Sequence, residues 1–351
     1  MGPGDQMFEL SICIPTYNRR AVLEDALESI LSQLHGEIAD TVEIVVSDNA
    51  SSDGTKSIVE AARSRHPHVT YHRWDNNVGP DRNYMKTVEL ARGRYCWLYG
   101  SDDLACMDSV GRMVDFARKG SYDIVLSDRN EFHGGDSKHA AYRTWSSLTG
   151  DLDIDLATGP GGFLRFVDSL NSIGGLFSFL TSILCRRSAW EGIPDKERFI
   201  GTGYPHTHVL LTILRNSGRM HYTRKPFVLC RMGDDSLCDD PKDIEAIYRR
   251  IKLDFQGYRD IPIHVFGADS PECHAILDLL GRIYHPLDLV WLKIRMRKDC
   301  GIEAGNRIDR LARASGLYRQ YLALSIASGP VARILVMVME SQERARRTRN
   351  L

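Results

Sequence analysis

Nowhere in this chain do about 18 apolar residues run without interruption, so no segment reads as a transmembrane helix. An excess of one charge is also missing. A formal net charge of −1 over 351 residues excludes a whole-chain attraction to nucleic acid or anionic lipid, so any electrostatic preference is local. The eight cysteines form no CxxC pair, and several lie inside apolar runs. That scatter argues against a zinc site or a disulfide frame and suits reduced thiols in a cytoplasmic protein. The opening MGPGDQMFEL lacks the basic and apolar regions of a signal peptide. Internal repeats and low-complexity tracts are absent too. What remains is 43% hydrophobic and 26% charged, an ordinary globular composition. The length suits one large domain with an appendage, or two domains.

The first 128 residues alternate apolar runs with helical periodicity. LSICIP (10–15) is a short apolar run stopped by proline, and VEIVVSD (42–48) is a second. Between them, Val22, Leu23, Ala26, Leu27, Ile30, Leu31 and Leu34 follow helical spacing. HVTYHRW (68–74), RYCWLYG (94–100) and YDIVLSD (122–128) read as further strands. Helices are predicted after SDNASSDGT, over 81–93 and over 109–120. The pattern predicts an α/β fold with a mostly parallel sheet and helices on both faces. From 129 the pattern loosens, with a helix at 161–170, a strand from 181, a helix within 202–218 and a strand from 225. Beyond about 240 the chain reads as mainly helical. The expected organisation is therefore 1–128 and 129–238 as two halves of one domain, with 239–351 as a helical C-terminal region.

In a parallel sheet, ligands collect at the carboxyl ends of the strands. The segments there are PTYN, SDNASSDGT, the stretch after YHRW, and GSDD. GSDD places Asp102 and Asp103 side by side at the end of an apolar run. Alone, the pair reads as a capped turn. On the ligand edge, two mutually repelling carboxylates suit a divalent cation, and hard oxygen donors favour Mg²⁺ or Mn²⁺ over zinc. Asp48 closes a buried strand, either within a capped turn or as an acceptor for a base or ribose. Tyr17 is placed to stack on a flat ligand. Arg19 and Arg20 are either phosphate contacts or a solvated helix start.

Taken together, LSICIPTYNRRAVLEDALESILSQ, VEIVVSDNASSDGT and NNVGPDRNYMKTVELARGRYCWLYGSDD resemble, in order and spacing, the nucleotide-sugar-binding half of the family 2 glycosyltransferases. GGLFSFLTSILCRRSAW, FIGTGYPHTHVLL and CRMGDDS are similar to the acceptor half of bacterial O-antigen transferases of the abequosyltransferase type. The resemblance implies the GT-A fold and inverting transfer of a sugar from a nucleotide diphosphate to a saccharide in surface-polysaccharide synthesis. A catalytically altered nucleotide-sugar- or glycan-binding protein on the same fold is the competing reading. By resemblance, Pro15 and Tyr17 line the base pocket with Asn18 beside them, and Asp48 meets the pyrimidine ring. Asp102 approaches the ribose and donor sugar, Asp103 takes the metal, and Arg82 and Asn83 approach the diphosphate or sugar. The donor is CDP-, UDP- or dTDP-linked; the acceptor is a saccharide, carried on a polyprenyl diphosphate in many relatives.

The transfer needs a base for the acceptor hydroxyl. Many relatives carry an acidic pair where this chain reads GTGYPHTHVLL. His206 is the candidate there, His208 its neighbour, and Asp195 a rival. Trp190 and Tyr204 are candidates for stacking on the acceptor, and Asp234 and Asp235 form a second acidic pair. In the tail, Val331, Ile334, Leu335, Val338 and Met339 share a helical face ahead of Arg344, Arg346, Arg347 and Arg349. That helix either packs on the body or lies peripherally on an anionic membrane face.

Overall fold

A computed structural model describes residues 8–133, 137–216, 218–233, 243–314 and 321–322. The predicted alternation is present. Strand β1 (Leu10–Thr16) is followed by α1 (Arg20–Leu31), the short α2 (Glu37–Thr41), β2 (Val42–Asp48), α3 (Thr55–Arg65) and β3 (Val69–Arg73). Then come α4 (Pro80–Leu90), β4 (Tyr95–Leu98), the two-residue β5 (Leu104–Ala105), α5 (Ser109–Lys119) and β6 (Ile124–His133). The more irregular stretch holds β7 (Ala141–Arg143), β8 (Leu152–Asp155), α6 (Gly161–Ser169), β9 (Ile183–Arg186), α7 (Arg187–Glu191), α8 (Pro205–Arg215) and β10 (Arg219–Met232).

One sheet runs in the order β3-β2-β1-β4-β9-β6-β10-β5. From β3 to β4 every pairing is parallel. Beyond β4 the sheet is mixed, because β9 enters between β4 and β6 antiparallel to both. The long β10 then runs parallel to β6, with a shift between Thr223 and Val228, and antiparallel to β5 and β8. An α/β sheet with helices on both faces is thus present, parallel on its first side and mixed on its second.

Alternation along the strands decides which helix covers which face. Leu10, Ile12 and Ile14 of β1 join the main core with Leu23 and Leu27 of α1, Val59 of α3, and Val110 and Met113 of α5. Burying such aliphatic side chains stabilises by about 1.5–3 kcal/mol each. The intervening residues face α4: Cys13 Sγ lies 3.7 Å from the Thr87 carbonyl oxygen. On this second face, Ser11 Oγ donates to the buried Glu43 carboxylate at 2.7 Å, and the Arg92 guanidinium closes on the other oxygen at 2.9–3.0 Å. Gly93 N–H donates to Ser11 Oγ at 2.8 Å.

The described C-terminal helices are α9 (Ile244–Phe266), α10 (Pro271–Ile283), α11 (Pro286–Cys300) and α12 (Ile302–Ala314). The chain divides into two compact units, Met1–Asp235 with Asp260–Leu279, and Ser236–Arg259 with Leu280–Leu351. In the second unit the buried Asp254 is held by Arg250 at 3.2 Å and by the Tyr284 hydroxyl, and Arg307 pairs with Glu245 at 2.6 Å. No helix among the described residues is long and apolar enough to cross a membrane. The amphipathic tail 331–351 lies outside the described residues.

Gly93 is where the second face is least tolerant: a Cβ there would stand 2.5 Å from Ser11 Oγ and 2.6 Å from Ser11 N. Gly93→Ala is expected to destabilise by about 1–3 kcal/mol, whereas Gly150→Ala, with nothing within 4 Å of the new Cβ, serves as the neutral control. Urea denaturation of both variants checks this; equal stabilities would refute the close approach.

Candidate functional site

Because β1, β2 and β4 are parallel neighbours, the chain leaves all three at one edge. The loops that follow are laced together there. Asn18, at φ +50°, donates its N–H to Ser51 Oγ at 2.8 Å, and its Oδ1 accepts the Ser52 N–H at 2.8 Å. Asparagine tolerates that left-handed backbone. Asp53 serves two helix starts at once, accepting the Arg20 N–H of α1 at 2.8 Å and the Thr55 N–H of α3 at 3.1 Å. Burial opposes its ionisation, but the bonds from Thr55 and Arg20 outweigh it and hold the carboxyl below its usual range. Tyr17 is 45% exposed, with the half-buried Pro15 two positions before it.

Asp48 is buried at the end of β2. Its Oδ1 accepts the Ser51 N–H at 2.8 Å and its Oδ2 accepts the Tyr71 hydroxyl at 2.6 Å, with Arg73 Nε 3.7 Å away. Burial and then Asp48 itself push the Tyr71 phenol up, so it stays a donor. In this arrangement Asp48 braces the loop that follows it.

The GSDD turn is the most constrained part of the edge. Asp103 is buried; Thr181 Oγ1 donates to its Oδ2, and the Arg231 N–H donates to its Oδ1 at 3.2 Å. Burial first, and the neighbouring Asp102 second, push its pKa up to about 8. Asp102 pairs with Arg19 at 2.5 Å, while Arg231 Nε donates to its carbonyl at 3.0 Å and Arg231 Nη2 reaches Asp25 at 2.8 Å. A Cβ on Gly100 would lie 2.9 Å from Asp103 Oδ2 and 3.2 Å from Asp102 Oδ1. The two carboxylates therefore converge over a bare glycine. A cluster of hard oxygens with two formal negative charges fits Mg²⁺ or Mn²⁺ in donor type.

At the start of α4 the structure corrects one expectation and qualifies another. Asn83 is buried, accepting the Ser47 hydroxyl at 2.8 Å and donating to the Thr16 carbonyl at 3.2 Å. Its amide ties β1 to β2 and is buried, which turns it away from a diphosphate in solvent. Arg82 is exposed and pairs with Glu197 at 3.6 Å. Between the helix and the acceptor loop stands Asp81, whose buried carboxylate accepts the Gly201 N–H at 2.6 Å and the Gly203 N–H at 3.1 Å.

The acceptor-side expectations change more. His206 is 2% exposed; its Nε2 lies 2.7 Å from the Phe177 carbonyl oxygen and its Nδ1 3.0 Å from the Tyr84 hydroxyl. A carbonyl accepts only, so Nε2 carries the proton and Nδ1 takes the Tyr84 hydroxyl. Burial pulls its pKa down to about 4. With both nitrogens engaged and only 2% of the residue exposed, His206 is placed as a structural group rather than as the expected base. Trp190 and Tyr204 are each 2% exposed, so neither ring face is open to stack on an acceptor. Asp195 is well exposed, but it faces His208 and His264 at 3.8 and 3.3 Å. Asp234 and Asp235 lie outside the described residues. Sequence reasoning missed Thr181, Arg231, Asp81 and Tyr71. Their partners lie at least 23 positions away, so no local spacing points to them.

A family profile described as Glycosyl transferase family 2 matches residues 11–166. The chain is 36% identical over 253 residues to the abequosyltransferase RfbV of Salmonella typhimurium, covering 71% of this chain and 73% of that protein. It is 31% identical over 133 residues to the GalNAc(5)-diNAcBac-PP-undecaprenol beta-1,3-glucosyltransferase of Campylobacter jejuni, 38% of this chain and 42% of that one. Among solved structures, S. aureus TarS 1–349 in complex with UDP-GlcNAc superposes with a TM-score of 0.61 at 15% identity, covering 95% and 92% of the two chains. The mannosyltransferase PcManGT of Pyrobaculum calidifontis, in complex with GDP-Man and Mn²⁺, gives 0.52 at 18% identity over 94% and 84%. At such identities these structures establish the GT-A fold alone.

His206→Ala strips partners from a buried carbonyl and a buried hydroxyl and is expected to cost about 2–4 kcal/mol. The folded ring refuses a proton that the unfolded imidazole accepts. Its contribution is therefore complete above about pH 6.5 and is lost as pH falls towards about 4. Urea unfolding across that range should show a wild-type slope that the variant partly loses. Unchanged stability with abolished turnover would return the base's role to His206.

Proposed function

The chain belongs to glycosyl transferase family 2, and on that basis we propose inverting, metal-dependent transfer of a sugar from a pyrimidine nucleotide diphosphate to a saccharide acceptor. The observation that carries this reading is the single strand edge where Tyr17, Asp48, Arg19 and the Asp102–Asp103 pair converge. The base lies against Pro15, Tyr17 and Asn18, with Asp48 accepting a ring N–H through a remaining lone pair. Asp102 stands towards the ribose and sugar, and Arg19, already beside it, offers its guanidinium to the diphosphate. Asp103, with Asp102, would hold Mg²⁺ or Mn²⁺; such a cation, when bound, stabilises charge developing on the leaving diphosphate.

Likeness to an abequosyltransferase supports a deoxyhexose donor, CDP-, UDP- or dTDP-linked, and surface-polysaccharide synthesis as the setting. Likeness to a transferase named for an undecaprenol-linked acceptor supports a lipid-linked saccharide presented at the cytoplasmic membrane face, with the enzyme peripheral there. One observation favours a second reading, a binding protein on the same fold: the histidine expected as base has both nitrogens engaged inside the protein.

Thermal-shift measurements with CDP, UDP, dTDP and GDP in Mn²⁺ test the donor assignment. One pyrimidine nucleotide should stabilise the chain, and Asp103→Ala should abolish the effect; no response to any nucleotide overturns it. Nucleotide binding without transfer to any lipid-linked saccharide would favour the second reading. The raised Asp103 pKa adds a further expectation, since a cation has to displace its proton. Apparent Mn²⁺ affinity should rise roughly tenfold per unit from about pH 6.5 to 8 and then level. Isothermal titration at both ends checks this, and pH-independent affinity across that window refutes Asp103 as the ligand.

A further inference from the structure

Away from the strand edge, three side chains from three elements meet. Asp195 comes from the segment between α7 and α8, His208 from the second turn of α8, and His264 from the end of α9. All three belong to the first compact unit. One ligand-capable atom from each lies within 4.8 Å of the others. We propose that Asp195, His208 and His264 bind a borderline divalent transition ion, with the chemistry of Zn²⁺, at a site separate from the donor cation.

His208 is the strongest part of the argument. It is 1% exposed, its Nδ1 has no hydrogen-bond partner, and its Nε2 stands 3.8 Å from Asp195 Oδ1, beyond hydrogen-bond reach. Buried imidazoles are ordinarily hydrogen-bonded, and an unpaired one costs about 1–3 kcal/mol. This ring turns Nε2 towards the Asp195 carboxylate, and its centroid lies 5.3 Å from that of His264. A metal ion between them supplies Nε2 with the partner that Asp195, at 3.8 Å, does not.

Donor type separates this site from the one at Asp102 and Asp103. Two imidazoles and one carboxylate select zinc-like ions, whereas carboxylates and phosphate oxygens alone select Mg²⁺ or Mn²⁺. Asp195 Oδ2 is 3.3 Å from His264 Nε2. Bonds of about 2.1 Å in tetrahedral geometry set ligand atoms roughly 3.4 Å apart, so closure needs only small side-chain shifts. The side chains of Asp195 and His264 are 43% and 34% exposed, which leaves room for a water as fourth ligand. Phe199 packs on both imidazoles, with ring centroids 4.9 and 5.6 Å away.

Occupation would tie the segment after α7 to α8 and α9. That same segment supplies the Gly201 and Gly203 amides to Asp81, at the start of α4. An ion there would stiffen the acceptor loop without entering the donor pocket.

The test uses the full chain without a histidine tag, stripped with chelator. Zn²⁺ is titrated calorimetrically, and Co²⁺ is followed by the visible bands of a tetrahedral nitrogen–oxygen site. One equivalent should bind, and Zn²⁺ should raise the melting temperature. His264→Ala and Asp195→Asn change exposed ligands, so folding is preserved, and each should weaken Zn²⁺ at least about 100-fold. Asp103→Ala should leave Zn²⁺ binding intact, which keeps this outcome independent of the donor site. Absence of saturable binding at micromolar Zn²⁺, or equal affinity in the His264 and Asp195 variants, overturns the proposal.

Discussion

Asp103 takes one hydrogen bond from Thr181, 78 positions along the chain, and another from the N–H of Arg231, 128 positions along. Three distant segments therefore meet on one carboxylate that is only 3% exposed. A buried carboxyl is costly unless it is paired or neutral, and here burial raises its pKa to about 8. The turn is thus held ready rather than relaxed. Trp97 Nε1 fixes the Thr181 carbonyl at 2.8 Å, and the Gly100 N–H fixes the Thr181 hydroxyl at 2.9 Å. Thr181 in turn precedes β9, so the strand that makes the sheet mixed also positions the brace of the acidic turn.

The edge is balanced in charge as well as in geometry. Arg19 neutralises Asp102 from the β1 side, and Arg231 spans to Asp25 of α1. In the proposed function, a diphosphate and its cation would add opposite charges beside these guanidiniums. Replacing an internal ion pair by ligand contacts needs less reorganisation than desolvating bare carboxylates on binding. Arg231 is only 10% exposed and also stacks near Phe132, with its guanidinium 5.0 Å from the ring centroid. It is an architectural cation, whereas Arg19, with 23% exposure, is the one within reach of solvent.

The first half of the fold was legible in the sequence because its signals are local. Apolar runs of strand length and helical periodicity placed β1 to β4 and α1, α3, α4 and α5 almost where they lie. The position of β9 between β4 and β6 was not legible, since it depends on pairings spanning roughly 60 to 90 residues. The same division holds for the site. Tyr17 and the Asp102–Asp103 pair lie at the strand ends where the sequence put them, because strand ends and acidic turns are visible in one dimension. Asn83, Trp190, Tyr204 and His206 were misjudged because residue type does not reveal burial. A histidine with neighbouring polar residues reads the same whether its nitrogens face a substrate or a carbonyl such as that of Phe177.

What those misjudged residues do instead explains how the two sides of the site are joined. The first turn of α4 carries Asp81, Asn83 and Tyr84, all buried. Asp81 and Tyr84 are three apart and share a helix face. Asp81 holds the amides of Gly201 and Gly203, and Tyr84 accepts the His206 N–H at 3.0 Å. Asn83 points elsewhere and links the ends of β1 and β2. One helical turn therefore fixes the donor edge through Asn83 and the acceptor loop through its two neighbours. A displacement of α4 cannot adjust one side alone. In the proposed function, positioning two substrates for in-line attack would demand that coupling, and it rests on polar side chains bonded inside the protein.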